Sequence, residues 1–304
     1  MSTATNSAQV DLLILGAGWT SKFLIPLCAA RGISHAATSR SGRDDTIKFE
    51  FDPASDDAEP FRALPAAQTV LITFPIYRSG ASARLVKLYE ETHPSKGSGS
   101  DGRKTGFVQL GSSGIWDGGP TAKGDHAAHF QRPDVKEGPL EWTTRHSKFN
   151  ESNERGRAEI ELLALSPDTP TTVLDLCGLW GGPRQVRNFV PRVITSKEVL
   201  KGKGSIHMIH GLDVSRAILA VHANFERAAG ERWLLTDGRV YDWWDWASAW
   251  GEEGKQTKWV RELMNEEGIH ALPRSPEVIG RGMDSREFWN TFDLEPVKGR
   301  LGEE

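Results

Sequence analysis

Val10-Asp11-Leu12-Leu13-Ile14-Leu15-Gly16-Ala17-Gly18-Trp19-Thr20-Ser21 is the stretch on which the reading of this 304-residue chain turns. Leu12 to Leu15 are all apolar, which marks a strand buried on both faces; a strand with one wet face would alternate apolar with polar. Trp19 to Ala30 reads as a helix, with apolar residues at Phe23, Leu24, Leu27 and Cys28, and Pro26 inside it predicts a kink or a late start. A strand that passes through Gly-x-Gly into a helix is the context in which backbone N–H groups and a helix N-terminus receive a phosphate. Gly16 would make the tight turn and Gly18 would let the backbone approach a pyrophosphate, with Trp19 and Thr20 opening the helix beside it. The third fingerprint position is Ser21, a mild departure from Gly or Ala. The other reading is a bare strand–helix turn.

Further strands are predicted over 34–39, 47–51, 69–74, 107–110 and 171–176, with helices over 81–91 and 155–165. Strands alternating with helices mean βαβ units, and hence an α/β fold: a doubly wound parallel (Rossmann) sheet with helices on both faces. Two segments break the rhythm. His93 to Thr105 is rich in Gly, Ser and Lys, and Thr121 to Lys148 is aperiodic; both are expected to be loops. Beyond Trp180 the composition changes, and tryptophans concentrate from Trp233 to Trp289, with the block Tyr241-Asp242-Trp243-Trp244-Asp245-Trp246. The expected division is a dinucleotide-binding domain over 1–180 and a smaller C-terminal substrate lobe over 181–304, with a chain return to the core near 205–240. Large aromatics usually serve packing, and a ring-stacking platform is the alternative.

The residue closing the second strand selects the cofactor. An acidic residue there would bond the adenosine ribose and repel a 2′-phosphate. This chain has Ala37-Thr38-Ser39-Arg40-Ser41, with Arg43 close behind. Arg40 can face a 2′-phosphate with its planar fork and Ser39 can donate to it, so NADP(H) is favoured over NAD(H). Asp52 either meets the adenine amino group or makes a turn before Pro53. Phe74-Pro75-Ile76-Tyr77 follows the fourth strand, at the edge nearest a nicotinamide. Phe74 is expected to line the cofactor, and Tyr77 either supplies a phenol or packs.

The charge balance is 37 basic against 41 acidic residues, net −4, which offers no global attraction to a polyanion and argues against a nucleic-acid partner. No apolar run approaches membrane-spanning length, and Met1 to Gln9 lacks a secretory apolar core; a cytoplasmic, non-membrane protein is expected. Cys28 and Cys177 do not make a disulfide framework and read as reduced core residues. His126 and His129 have no companions at zinc-like spacing, so no metal is expected. Gly-x-Ser-x-Gly and Walker A sequences are absent.

The order of pieces resembles the extended or atypical branch of the short-chain dehydrogenase/reductase superfamily, which includes nucleotide-sugar epimerases and dehydratases. The resemblance rests on Gly16-Ala17-Gly18, on Leu110-Gly111-Ser112-Ser113-Gly114-Ile115-Trp116, and on Arg155-Gly156-Arg157-Ala158-Glu159. It continues with Leu176-Cys177-Gly178-Leu179-Trp180-Gly181-Gly182-Pro183-Arg184 and Ile209-His210-Gly211-Leu212-Asp213-Val214. The Arg-rich central helix looks closest to atypical members related to the bacterial YeeZ protein. The resemblance implies an oxidoreductase or epimerase-like activity on a small, anionic substrate, with a homodimer as one possible state. It also implies a Ser or Thr that orients the substrate oxygen, here Ser112 with Ser113 beside it, and a Tyr-x-x-x-Lys pair one helical turn apart. That pair is missing. Tyr77 is followed four positions on by Ala81, Tyr89 by His93 and Tyr241 by Asp245. Glu151 and Arg155 occupy the corresponding positions; Arg155 can bind a ribose or phosphate but cannot release a proton. Glu151 is expected to be an exposed carboxylate at the helix start, and serves as an acid or base only if buried. Arg184 and Arg187, with Arg192, form a basic cluster where the resembled family meets substrate; a solvated surface is the other reading. A non-catalytic dinucleotide sensor of the same fold is the alternative function.

Overall fold

The computed structural model describes residues 9–94, 104–116, 142–251, 254–299 and 301. The His126/His129 pair and most of the two predicted loops lie outside the described residues. The strands, in chain order, are β1 (Val10–Leu15), β2 (His35–Ser39), β3 (Ile47–Lys48), β4 (Ala67–Ile72), β5 (Gly106–Ser112), β6 (Trp142–Thr143), β7 (Thr171–Leu176), β8 (Gly178–Trp180), β9 (Ser205–Ile206), β10 (Met208–His210), β11 (Arg232–Leu235), β12 (Tyr241–Asp242) and β13 (Gly282–Met283). The helices used below are α1 (Ser21–Ala30), α2 (Ala81–Thr92) and α3 (Glu154–Leu163).

The chain divides into two compact units. The first comprises the chain up to Ser112, then Glu154–Asp175 and Val214–Trp233; the second comprises Ser113–Asn153, Leu176–Asp213 and Leu234–Glu304. The chain therefore passes from one unit to the other five times.

The first unit is built on a seven-stranded sheet in the order β11-β7-β5-β4-β1-β2-β3. β1 pairs in parallel with both β2 and β4, in the registers Leu13↔Ala36 and Leu13↔Val70. The strand order thus reverses beside β1, which places the glycine turn at the C-terminal edge of the switch point where doubly wound sheets bind ligands. Alternation along the strands feeds both faces. Leu13, Leu15, Val70, Ile72, Phe107 and Val173 join Leu85, Leu88, Tyr89 and Leu162 in one core, covered by α2 and α3. On the other face His222 of the helix Gly211–Ala223 bonds Thr69 Oγ1 at 2.8 Å, and Phe225 lies where a Cβ on Gly106 would sit.

Several elements differ from the sequence expectation: β4 spans Ala67–Ile72 rather than 69–74, and α3 ends at Leu163 rather than at residue 165. α1 begins at Ser21 rather than Trp19 and runs through Pro26. β3 stops at Lys48; Phe49 and Phe51 turn edge-on to Phe61, and that packing takes the chain off the ladder. β5 extends through Ser112, two residues past the predicted strand end.

The second unit holds the tryptophan block. Trp243, Trp244 and Trp246 are buried with Trp180, Val190, Ile194, Leu200, Met208, Val260 and Leu263. Burial assigns these rings to packing, where each contributes a few kcal/mol of apolar transfer. The strand pairs β8–β10 (parallel), β9–β12 (antiparallel) and β6–β13 (parallel) tie the segments together. Its most enclosed ion pair joins Asp242 and Arg274, both side chains fully buried. Asp242 caps the next helix through Trp244 N–H (2.8 Å) and accepts Arg274 Nη2 (2.6 Å), while the guanidinium stacks 3.9 Å from the Trp244 ring. Both cysteines are buried and unbridged, and burial pushes the Cys28 thiol up to about 11. Among the described residues no helix is long and apolar enough to cross a membrane.

Candidate functional site

In the first unit the turn after β1 is clamped from both sides. Gly16 N–H donates to Thr38 Oγ1 (3.0 Å) and Ala17 N–H to Thr38 O (2.6 Å). From the other side Thr73 Oγ1 donates to Gly16 O (2.6 Å). Gly16 has φ +98°, and a Cβ there would meet Thr73 Oγ1 at 2.6 Å, so both conformation and space demand glycine. Gly18 is different: an added Cβ would meet only Gly16 O, at 4.0 Å. Among the described residues nothing else lies within 4 Å of that position, which is the property a phosphate cradle needs. α1 starts with no side-chain cap and no acidic residue in its first turn, so its positive end is uncompensated. Thr20 is buried at this cap, Trp19 rests edge-on against Phe23, and Ser21 Oγ is buried without a partner. These features fit a pyrophosphate at the turn.

Beyond β2 the chain closes a tight loop. Ser39 Oγ accepts Arg43 N–H (3.2 Å) and bonds Thr46 Oγ1 (2.6 Å), so Ser39 is engaged within the loop. Arg40 is exposed and, among the described residues, has no hydrogen bond or ion pair. Arg43 reaches across to the glycine turn, Nη2 to Ala17 O at 3.3 Å, while pairing with Asp44. Two guanidinium groups therefore flank the end of β2. Asp52 is exposed and its Oδ1 accepts Ala54 N–H (2.8 Å), the turn that leads into Pro53. Phe74 is half-buried and stacks on Phe51; its carbonyl accepts Gln109 Nε2 (3.0 Å). Tyr77 is 48% exposed, with Ile76 taking the core position beside it.

The candidate catalytic residues fall in different settings. Ser112 is the half-buried last residue of β5, and its N–H bonds the carboxyl of Asp175. Arg155, on α3, turns its guanidinium inward: Nη2 donates to Leu110 O (2.7 Å) and Nε lies 3.5 Å from Glu159 Oε1. Within the second unit, Ser113 opens the short turn Ser113–Trp116, held by Trp116 Nε1 donating to Ser147 O (3.0 Å). Glu151 is exposed in the turn that precedes α3, outside the helix itself. Arg184 and Arg187 are exposed; Arg184 pairs backbone to backbone with Gly181, and partial burial lowers its pKa. His210 accepts Leu212 N–H on Nδ1 (3.0 Å) and packs on Trp180, a helix-start role.

Three charged groups escaped the sequence reading. Arg43 was legible only as a neighbour of Arg40. Arg281, between two glycines, is enclosed enough that burial pushes its guanidinium down to about 10. The third is a buried charge cluster of Glu159, Asp175 and Arg232. Its one visible signal is an aspartate inside the apolar run Thr171-Thr172-Val173-Leu174-Asp175-Leu176. Among the described residues no group of three His, Cys, Asp or Glu side chains could hold a metal ion.

No protein-family model matches the chain, and no curated protein does. Solved structures do. The chain is similar to MoeE5 in complex with UDP-glucose and NAD, at 16% identity and TM-score 0.56 over 96% of this chain and 94% of that one. It is similar to a short-chain dehydrogenase/reductase superfamily protein from Agrobacterium tumefaciens with bound NAD, at 12% identity and TM-score 0.56 over 95% and 92%. It is also similar to UDP-N-acetylglucosamine 4-epimerase from Bacillus cereus, at 10% identity and TM-score 0.55 over 95% and 94%. Both chains are covered nearly end to end, so the chain has the Rossmann fold of the epimerase and dehydrogenase/reductase proteins.

Proposed function

We propose that this chain binds NADP(H) through the turn at Gly16–Gly18 and acts as an oxidoreductase or epimerase-like enzyme on a small anionic substrate. The observation that carries this reading is the contrast between the two glycines: Gly16 is required by the protein's own packing, whereas Gly18 borders open space beside an uncapped helix start. Arg40 supports the choice of NADP(H), since an exposed guanidinium without a partner can meet a 2′-phosphate at no cost of a broken ion pair. Arg43 would sit between that phosphate and the pyrophosphate turn. The nicotinamide, when bound, supplies or takes a hydride. Ser112 would orient the substrate oxygen; within the second unit, the exposed Arg184 and Arg187 favour an anionic ligand. Calorimetric titration with NADPH and NADH tests the binding: tighter NADPH binding is expected, and equal affinities would refute the role of Arg40.

A second reading, a dinucleotide sensor without turnover, is favoured by one observation. The position where the resembled enzymes carry lysine holds Arg155, whose guanidinium is committed to Leu110 O. Binding of NADPH with no turnover on any carbonyl or nucleotide-sugar substrate would select this reading.

A further inference from the structure

We infer that Glu159 and Asp175 share a single proton beside Gly111 and act together as the positioning pair for Ser112. The cluster lies wholly in the first unit, between α3 and the sheet. Glu159 is 2% exposed and Asp175 is fully buried. A Cβ on Gly111 would collide with Asp175 Oδ1 and would lie 2.9 Å from Glu159 Oε1. The absence of a side chain at residue 111 is therefore what lets the two carboxyl groups converge.

The hydrogen-bond pattern is asymmetric. The outer oxygens share one donor: Arg232 Nη1 lies 2.7 Å from Glu159 Oε2 and 3.3 Å from Asp175 Oδ2. The inner oxygens, Glu159 Oε1 and Asp175 Oδ1, are buried and accept no hydrogen bond among the described residues, although Arg155 Nε lies 3.5 Å from Glu159 Oε1. Two ionised carboxylates would leave these oxygens repelling each other in a dry site. One proton between them gives each oxygen a partner and leaves a net charge of −1 facing Arg232 and Arg155. The charged groups that face the pair are Arg155 from α3 and Arg232 from β11. β5 contributes Gly111 and the Ser112 N–H, and β7 contributes Val173. Burial raises both carboxyls, Glu159 well above the usual carboxylate range and Asp175 to about 6; the Ser112 N–H favours the charged form of Asp175, so we assign the proton to Glu159. Asp175 then carries the charge that the Ser112 N–H binds. That bond fixes the end of β5, and with it the direction in which the Ser112 side chain leaves the strand.

The test uses the whole chain without cofactor, so its outcome is independent of the nucleotide reading. Infrared spectra across pH are compared between the unmutated protein and Glu159→Gln, with the backbone amide resonance of Ser112 followed in parallel. Glutamine reproduces the protonated acid: its N–H can donate to Asp175 Oδ1 while its oxygen accepts Arg232. Glu159→Gln is therefore expected to fold, and to lose one carbonyl band of a neutral carboxylic acid that the unmutated protein retains at pH 7. The Ser112 amide is expected to shift as that band disappears at higher pH, and to stay still over the same range in Glu159→Gln. A Glu159→Gln chain that does not fold, an unchanged carbonyl band, or a Ser112 amide indifferent to the titration would each overturn the inference.

Discussion

Arg155 Nη2 donates to Leu110 O across 2.7 Å, fastening the start of α3 to the C-terminal part of β5. In the resembled enzymes a lysine at this place holds the nicotinamide ribose and tunes a tyrosine. Here the cation holds a strand end instead. An arginine also keeps its proton at any accessible pH. Slow turnover is therefore expected on generic carbonyl or nucleotide-sugar substrates, because a placed acid or base supplies about 10²–10⁴-fold. A panel of Ser112→Ala, Glu151→Gln and Tyr77→Phe variants separates the routes. Glu151→Gln is expected to match the unmutated chain, given its exposed turn position. A collapse confined to that variant would restore Glu151 as the proton donor.

Cofactor choice rests on Arg40. Arg40→Ala should narrow the gap between NADPH and NADH affinity by about 1–3 kcal/mol, the range of a charge-assisted contact. Calorimetry with both nucleotides measures it. An unchanged ratio would move the discrimination to Arg43.

The two glycines of the turn should fail in opposite ways. Gly16→Ala forces a left-handed backbone on alanine and pushes on Thr73, so the cofactor-free protein should lose on the order of 1–3 kcal/mol. Gly18→Val should leave the melting temperature without cofactor near its original value and abolish the rise on adding NADPH. Thermal melts with and without nucleotide give both readings.

Asp242→Ala should be the most damaging single change in the second unit. It removes a helix cap and strands a fully buried guanidinium, at a cost of about 3–5 kcal/mol. Asp242→Asn keeps acceptor oxygen for Trp244 N–H and should cost less. Chemical denaturation of the three proteins ranks them.

Asp237 gives a pH signature. Burial, opposed by the bond from Tyr241 O–H (2.6 Å), pushes its carboxyl up to about 7 from an ordinary 3.8. The folded state therefore binds this proton more tightly than the unfolded chain does. The stabilisation is complete below about pH 3.8 and is lost as pH rises through about 7. Asp237→Asn should flatten the decline of melting temperature across that window; an unaltered slope would assign it to other groups.

The sheet could be read directly because its signals are local. Leu12 to Leu15, the glycine turn and the Val/Leu/Thr run at 171–176 each announce themselves within a few residues. The missed features are nonlocal. Glu159 meets Arg232 across 73 residues of sequence, and nothing near either residue encodes the meeting. Arg155 shows the same limit: its helical position was legible, but the direction of its guanidinium depends on where the carbonyl of Leu110 lies. The early end of β3 was hidden because Ile47 to Phe51 has strand-like residues, and only the packing of Phe49 on Phe61 decides where the ladder stops.

The repeated passage of the chain between the two units sets an order on biosynthesis. As the polypeptide leaves the ribosome, β1 to β5 are delivered early, yet the sheet waits for β7 and then for β11, which ends at Leu235. Until β7 arrives β5 is an open border with unpaired backbone, and from then until β11 arrives β7 is that border, the kind of edge that recruits foreign strands. A fragment cut at residue 180 would leave β7 as an open border for good, since β11 would never arrive. Expression of residues 1–180 alone should accordingly give an aggregating product.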